Sequence, residues 1–276
     1  MLLRAITGLS SALAVVLAIC LDAAFWWVPV MFFGLYLLFL LLAFFVLWAF
    51  SAAVDTGKPQ EHDSKGYRRV VMLYIEALIP LVRLKIETAG MEKMPEEKRI
   101  MLVCNHQNEG DPGILMHYFK KYELSFIAKK EVQDMFIMGK LMHKLVCQPI
   151  NRENDREALK SILRCIQLLK TDEVSIGAFP EGGIFDKDKL HPFRSGVFKI
   201  AQKAKVPIAV CTLKGTSDLF PNMRRLKKTP VQLHLVDVIP AEEVAAANTV
   251  ELGERIYQMM LSDLGPEYAP EKEEST

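Results

Sequence analysis

The chain has no charge excess. Thirty-four Lys and Arg stand against 33 Asp and Glu, a formal net charge of +1 over 276 residues. Contact with a phosphate backbone needs a basic surplus, so global charge argues against a nucleic-acid partner. No Cys-x-x-Cys pair occurs. The five cysteines, Cys20, Cys104, Cys147, Cys165 and Cys211, are odd in number and scattered. That excludes a disulfide framework and a zinc ribbon and predicts reduced, mostly buried thiols. The Asn-x-Ser/Thr glycosylation pattern is also missing, which agrees with a cytosolic main domain. Neither G-x-G-x-x-G nor a Walker A loop appears, so no nucleotide cofactor is expected. Without a G-x-S-x-G elbow, the chain offers no serine nucleophile of that type. There is no internal repeat.

Charge is most conspicuously missing from residues 5–53, where Asp22 is the only ionisable acid or base of the Asp, Glu, Lys and Arg set. About 20 apolar residues span a bilayer core as a helix. The stretch predicts two spans, Ala5–Leu21 and Val30–Ala52, joined by the turn "DAAFWWVP". Trp26 and Trp27 suit a membrane interface, and Pro29 suits a helix start. A cleaved signal peptide and one long tilted span are the competing readings; no A-x-A-like site precedes a soluble segment. The turn carries no Lys or Arg, whereas Lys58, Lys65, Arg68 and Arg69 follow the second span. The positive-inside rule then places the N-terminus and the main domain in the cytoplasm.

Residues 66–90, "GYRRVVMLYIEALIPLVRLKIETAG", are too interrupted to span. Two readings stand. The segment is a helix on the headgroup layer with basic residues toward anionic lipid, or a core-packing helix broken at Pro80.

From about residue 98 short apolar runs alternate with helical patterns. "RIMLVCN", "LSFIAKK", "VCQPIN", "VSIGAFP", "PIAVCTLKG" and "VQLHLVDVI" read as strands, several apolar throughout as in a sheet covered on both faces. Residues 155–170 predict a helix capped by Asp155, and 194–205 a second. Asn248 and Glu251 form a capping-box-like pair opening a helix to about Leu261. The fold class is α/β: a mixed, mostly parallel sheet flanked by helices, with an N-terminal transmembrane hairpin. The predicted layout is an anchor over 1–55, an amphipathic helical linker over 56–95, a catalytic domain over 96–264 and a disordered acidic tail over 265–276.

Sites in α/β sheets gather at the carboxyl ends of strands. His106 and Asp111 follow the first strand of the domain, Lys129 and Lys130 end the second, Arg152 follows the third, and Glu181 and Gly182 follow "VSIGAFP". A histidine can take a proton from a hydroxyl, and a carboxylate on its other nitrogen fixes the tautomer. Arginines hold phosphate or carboxylate. Singly, each cluster also reads as a turn, a cap or a solvated surface. His117, His143, His191 and His234 show no ligand spacing, and no third ligand advertises a zinc site.

In order, these blocks resemble the PlsC-like glycerolipid acyltransferase family over roughly residues 85–240. "NHQNEGD" matches its N-H-x-x-x-x-D block and "CQPINRE" the block ending in arginine. "AFPEGG" matches F-P-E-G; "HPFRSGVFKIA" and "KVPIAVCTLKG" resemble its later segments. The resemblance implies that His106 is the general base and Asp111 its orienting partner. The acceptor hydroxyl attacks the thioester of acyl-CoA or acyl-carrier protein directly, with no further cofactor. Arg152, Glu181, Gly182, Arg194 and Lys129 bind or shape the substrate site, and Gly182 lies where backbone N–H groups meet an oxyanion. The implied reaction makes phosphatidic acid from lysophosphatidic acid in an integral membrane enzyme facing the cytoplasm, with membrane lipids as partners. The family often has serine at Asn108, and Thr-Arg or x-Arg-Ser where this chain has Gly183-Ile184-Phe185. Another acceptor (glycerol-3-phosphate, another lysolipid, an amino-acid-derived lipid), a non-catalytic scaffold and a metal-dependent hydrolase are the alternatives. "MRRLKKTP", 223–230, is a basic turn suited to anionic headgroups, to an acidic carrier protein or simply to water.

Overall fold

The computed structural model describes residues 1–96, 99–151, 154–186 and 188–270. The first two helices are α1 (Leu2–Cys20) and α2 (Trp27–Ala52), both apolar enough to cross a bilayer by length and composition. They start earlier than the predicted Ala5 and Val30. Pro29 still falls in the first turn of α2, where its missing N–H removes no helical bond. Ile6, Ser10, Ala14 and Ala18 recur every four residues on one face of α1 and are buried. On α2 only Ser51 is buried, and Phe33, Leu37, Leu41, Phe44 and Phe45 all point outward. An apolar surface of that extent is a liability in water and fits membrane association.

The segment over 66–90 is not one broken helix. It forms α3 (Lys65–Leu81), which carries Pro80 in its last turn, followed by a strand, β1 (Leu84–Ala89). Arg83, in the left-handed region at φ 59°, makes the corner between them. The rest of the domain follows as β2 (Met101–Cys104), α4 (Asp111–Tyr118), β3 (Leu124–Lys129), α5 (Met138–Lys144), β4 (Gln148–Ile150) and α6 (Asp155–Lys170). Then come β5 (Ser175–Ala178), α7 (Lys199–Ala204), β6 (Ile208–Lys214), α8 (Leu219–Arg224), β7 (Thr229–Ile239), α9 (Ala241–Ala246) and α10 (Thr249–Leu264). The cap of α6 is Asn154, one residue before the predicted Asp155; its side chain accepts from the Arg156 and Glu157 N–H groups. Asn248 caps α10 as expected.

The seven strands order as β1-β7-β6-β2-β5-β3-β4. Five run parallel, β7 pairs antiparallel to β6, and β1 pairs parallel to β7. The sheet is therefore mixed and mostly parallel. Period-two alternation sends β2 to both cores. Met101 and Val103 join Leu168, Phe198, Ile256 and Met260 on the face covered by α6, α7 and α10. Leu102 and Cys104 join Ile114, Leu115, Phe126 and Leu233 on the face covered by α3 and α4. Each fully buried side chain of this kind contributes on the order of 1.5–3 kcal/mol.

The stretch between α2 and α3 is fastened to the domain. Asp63 forms a fully buried bidentate pair with Arg68 at 2.8 and 2.7 Å, and Arg68 also donates to the Leu124 carbonyl at 2.9 Å and Ser125 Oγ at 3.2 Å. Asp63 N–H donates to Glu173 Oε1 at 2.8 Å, and Ser64 N–H to the Lys144 carbonyl at 3.0 Å. The C-terminal end differs from the predicted disordered tail. Pro266–Tyr268 forms a 3-10 turn, Tyr268 is buried and its carbonyl accepts from Leu190 N–H at 2.8 Å. Residues 271–276 lie outside the described residues.

Candidate active site

The site begins where β2 ends. Asn105 prolongs the β2–β6 pairing with its side chain: its Nδ2 donates to the Leu213 carbonyl, and Leu213 N–H donates to its Oδ1, both at 2.8 Å. Those bonds fix the start of the loop 106–110, which closes around one carboxylate oxygen. Asp111 Oδ2 accepts from Gln107 N–H and Asn108 N–H, both at 2.8 Å, and lies 3.0 Å from His106 Nδ1. In the tautomer that donates from Nδ1 to the carboxylate, Nε2 is the nitrogen left to accept. Asp111 is fully buried, and His106 Nε2 has no partner among the described residues. The imidazole lies flat on Phe179, which in turn stacks on Phe126.

Glu181 holds the loop from the other side. Its Oε1 accepts from His106 N–H at 2.8 Å and its Oε2 from His191 N–H at 2.9 Å. Both oxygens accept from backbone N–H groups, so Glu181 fixes the backbone of His106. Burial pushes its carboxyl up to about 7, against the two N–H donors that lower it; nearby Asp111 raises it further. Cys104 is the thiol nearest in sequence. Burial pushes it well above its ordinary range, with Cys211, Asp111 and Glu181 adding to the rise, so it supplies no thiolate.

Gly182 takes φ 87°, which favours glycine, and its N–H donates to the Phe179 carbonyl at 2.9 Å; that donor is therefore spent on the turn. Gly183, next to it, is packed under Lys129: a Cβ there would sit 3.3 Å from Lys129 Cε and 3.5 Å from Nζ. Arg194 joins through its backbone, donating N–H to the Pro180 carbonyl at 2.9 Å, with its side chain exposed. Arg152 lies outside the described residues. Asn108 is fully buried and closes its own turn, with Oδ1 accepting from Gly110 N–H at 2.9 Å.

Sequence reasoning missed Asn105, Phe179 and His191. Asn105 had a signal: a polar residue placed directly on a wholly apolar strand. Among the described residues no cluster of His, Cys, Asp and Glu could hold a metal. His234 does pair with Asp263, which also accepts from Thr212 Oγ1, but this joins β7 and β6 to α10 in mid-strand. It is a structural tie away from the strand ends.

Comparison with known proteins follows the same residues. A protein-family model described as Acyltransferase matches residues 85–214. The chain is 31% identical over 209 residues to a probable 1-acyl-sn-glycerol-3-phosphate acyltransferase of Mycoplasma pneumoniae, covering 71% of this chain and 75% of that one. It is 30% identical over 171 residues to a chloroplastic 1-acyl-sn-glycerol-3-phosphate acyltransferase of Brassica napus, covering 60% of this chain and 49% of that protein. The crystal structure of PlsC from Thermotoga maritima, a 1-acyl-sn-glycerophosphate acyltransferase, superposes with a TM-score of 0.58. That alignment has 22% identity and covers 71% of this chain and 79% of the other; it shows the shared fold. With the family block matched and the Mycoplasma relative covered over three quarters of its length, the chain belongs to the PlsC-like glycerolipid acyltransferase family.

Proposed function

We propose that the protein transfers a fatty acyl group from acyl-CoA or acyl-carrier protein to the free hydroxyl of lysophosphatidic acid, giving phosphatidic acid. The observation that carries this reading is the 3.0 Å contact from His106 Nδ1 to Asp111 Oδ2, which leaves Nε2 free at the strand ends. Nε2 takes the hydroxyl proton as the alkoxide attacks the thioester carbonyl carbon. The tetrahedral intermediate collapses with loss of the thiolate, which receives that proton from the imidazolium. Asp111 stabilises the transient positive charge. Gly183 N–H, without a partner among the described residues, is the donor proposed for the oxyanion. Lys129, Arg194 and Arg152 are the cations proposed for the acceptor phosphate.

The apolar hairpin anchors the enzyme as an integral membrane protein with its catalytic domain on the cytoplasmic side. Basic residues after α2 and their absence from the turn support that side. A second reading keeps the chemistry and changes the acceptor; it is favoured by Gly183-Ile184-Phe185, which lacks the arginine common in the family.

Detergent-purified protein offered a labelled acyl donor and a panel of acceptors decides between them. Transfer to lysophosphatidate is expected; transfer to another acceptor alone sinks the lead. His106→Ala is expected to lower transfer by about 10²–10⁴-fold with the fold intact by circular dichroism. Unchanged transfer would remove His106 from the mechanism.

A further inference from the structure

Beyond the hairpin, one rim of the α/β domain exposes apolar side chains among cations. Phe220 and Met223 on α8, and Leu226 just after it, expose 41%, 41% and 74% of their area. Leu226 sits at φ 52°, a region that a branched aliphatic side chain rarely occupies. The corner holds because Leu226 N–H donates to the Met223 carbonyl at 3.1 Å and Arg83 donates to the Leu226 carbonyl. The result is an apolar side chain held outward at an energetic cost, as functional positions often are.

Cations surround these residues. Arg224, Arg225, Lys227 and Lys228 are all exposed, and none pairs with a carboxylate among the described residues. Four unpaired cations in five residues repel one another, so an anionic counterpart is what relieves them.

The rim is also on the anchor's side of the domain. Tyr67 of α3 donates to the Phe50 carbonyl of α2 at 3.2 Å, and Tyr74 donates to the Ala43 carbonyl at 2.6 Å. The contacts advance along α3 while they retreat along α2, so α3 runs back beside the anchor. Ala43 lies nine residues inside α2, about 13 Å from its end at 1.5 Å per residue. The last turn of α3 exposes Leu78 and Leu81, and Arg83 then links it to Leu226. On the other side, Leu219 of α8 reaches within 3.5 Å of where a Cβ on Gly110 would lie, so the same element abuts the catalytic loop.

We infer that Phe220, Met223 and Leu226 form a second membrane contact, inserting among the headgroups of an anionic bilayer while the surrounding cations bind lipid phosphates. Apolar side chains framed by Lys and Arg are the pattern that binds such an interface. The contact sets the mouth of the His106 loop against the lipid surface.

The test uses the full chain in vesicles. Cysteines introduced one at a time, at Leu226→Cys, Gly34→Cys on α2 and Glu242→Cys on α9, carry an environment-sensitive fluorophore in a Cys20→Ser, Cys147→Ser background that keeps only the buried Cys104, Cys165 and Cys211. Phosphatidylcholine vesicles with and without phosphatidylglycerol contain headgroup-proximal nitroxide lipid as quencher. The Gly34 label should be quenched in both, the Leu226 label several-fold more than the Glu242 label in anionic vesicles, and Arg224→Glu with Arg225→Glu should abolish that difference. A Leu226 label quenched no more than the Glu242 label, while the Gly34 label is quenched, overturns the inference. So does an unquenched Gly34 label, because the rim then adjoins no inserted anchor. The readout is independent of catalysis, so it stands or falls apart from the assigned acceptor.

Discussion

The imidazole of His106 lies 3.9 Å from the ring of Phe179, their planes 14° from parallel, and Phe179 continues the stack to Phe126 at 5.7 Å and the same angle. The imidazole is therefore aimed by a column of rings as well as by Asp111. The column rests on Gly177 of β5, where an added Cβ would fall 2.4 Å from Phe126 Cε1. Gly177→Ala must displace Phe126, an overpacking that costs about 1–3 kcal/mol. The displacement should pass up the stack to His106. We expect a lower melting temperature and a several-fold drop in kcat with little change in KM, and partial rescue when Phe126→Leu makes room. Double-mutant thermodynamics and kinetics check it; additive losses would show that the column does not transmit the shift.

Glu181 gives a pH signature. Its carboxyl is raised in the fold to about 7, above an ordinary value of 4.5. The native state then binds the proton more tightly than the unfolded chain does. Its contribution to stability is complete below about pH 4.5 and is lost as the pH rises to about 7, amounting to about 3 kcal/mol across that window. Glu181→Gln removes the titration and should flatten the melting temperature across this window relative to the parent. The glutamine amide must also face one of two N–H donors, so a loss of about 1–3 kcal/mol at neutral pH is expected with lowered transfer. Parallel stability curves for parent and variant would refute the assignment.

Asn108 is fully buried, and its Nδ2 has no hydrogen-bond partner among the described residues. Its useful bond is the one its Oδ1 accepts from Gly110, which a serine hydroxyl can also accept. Asn108→Ser deletes the unpaired amide, a group whose burial costs about 1–3 kcal/mol. The variant should be as stable as the parent or more so, and its preference among acceptors should not change. A changed preference in the acceptor panel would give Asn108 a direct part in recognition.

Lys129 lies over Gly183 with its ammonium unpaired among the described residues. If it holds the acceptor phosphate, Lys129→Met should raise KM for lysophosphatidate by about 10–100-fold, the equivalent of one charge-assisted hydrogen bond. Turnover of a phosphate-free acceptor should be untouched. Gly183→Ser crowds the Lys129 methylenes and should give a smaller rise of the same kind. Equal losses on charged and uncharged acceptors would assign Lys129 to the donor or to packing.

Six of the seven strands were legible: β2, β5 and β6 as apolar runs, because central parallel strands are buried on both faces, and β7 by its two-residue alternation. The strand that escaped, "LKIETA", is an edge strand with one exposed face. It follows so closely on an amphipathic helix that its two-residue alternation merges with the helical pattern. The antiparallel direction of β7 has no local signal at all, since it depends on which strand it meets. At the site, the spacing of His106 and Asp111 was visible, but the backbone work of Glu181 was not. A carboxylate that binds N–H groups of distant residues leaves no trace in sequence spacing. The ordered end at Tyr268 had a faint sign, one aromatic in an otherwise acidic tail.

The buried Asp63–Arg68 pair lies in the chain that leads from anchor to sheet, and the residues on either side of it are bonded to β3, α5 and the turn before β5. A catalytic head on a slack tether would swing and sample a dome of heights above its membrane. This one is welded to its stalk. If the hairpin is the membrane anchor proposed above, the head keeps the two coordinates of the bilayer plane and rotation about the normal. Encounters with a lipid substrate become collisions on a surface, with approach direction settled when the chain folds.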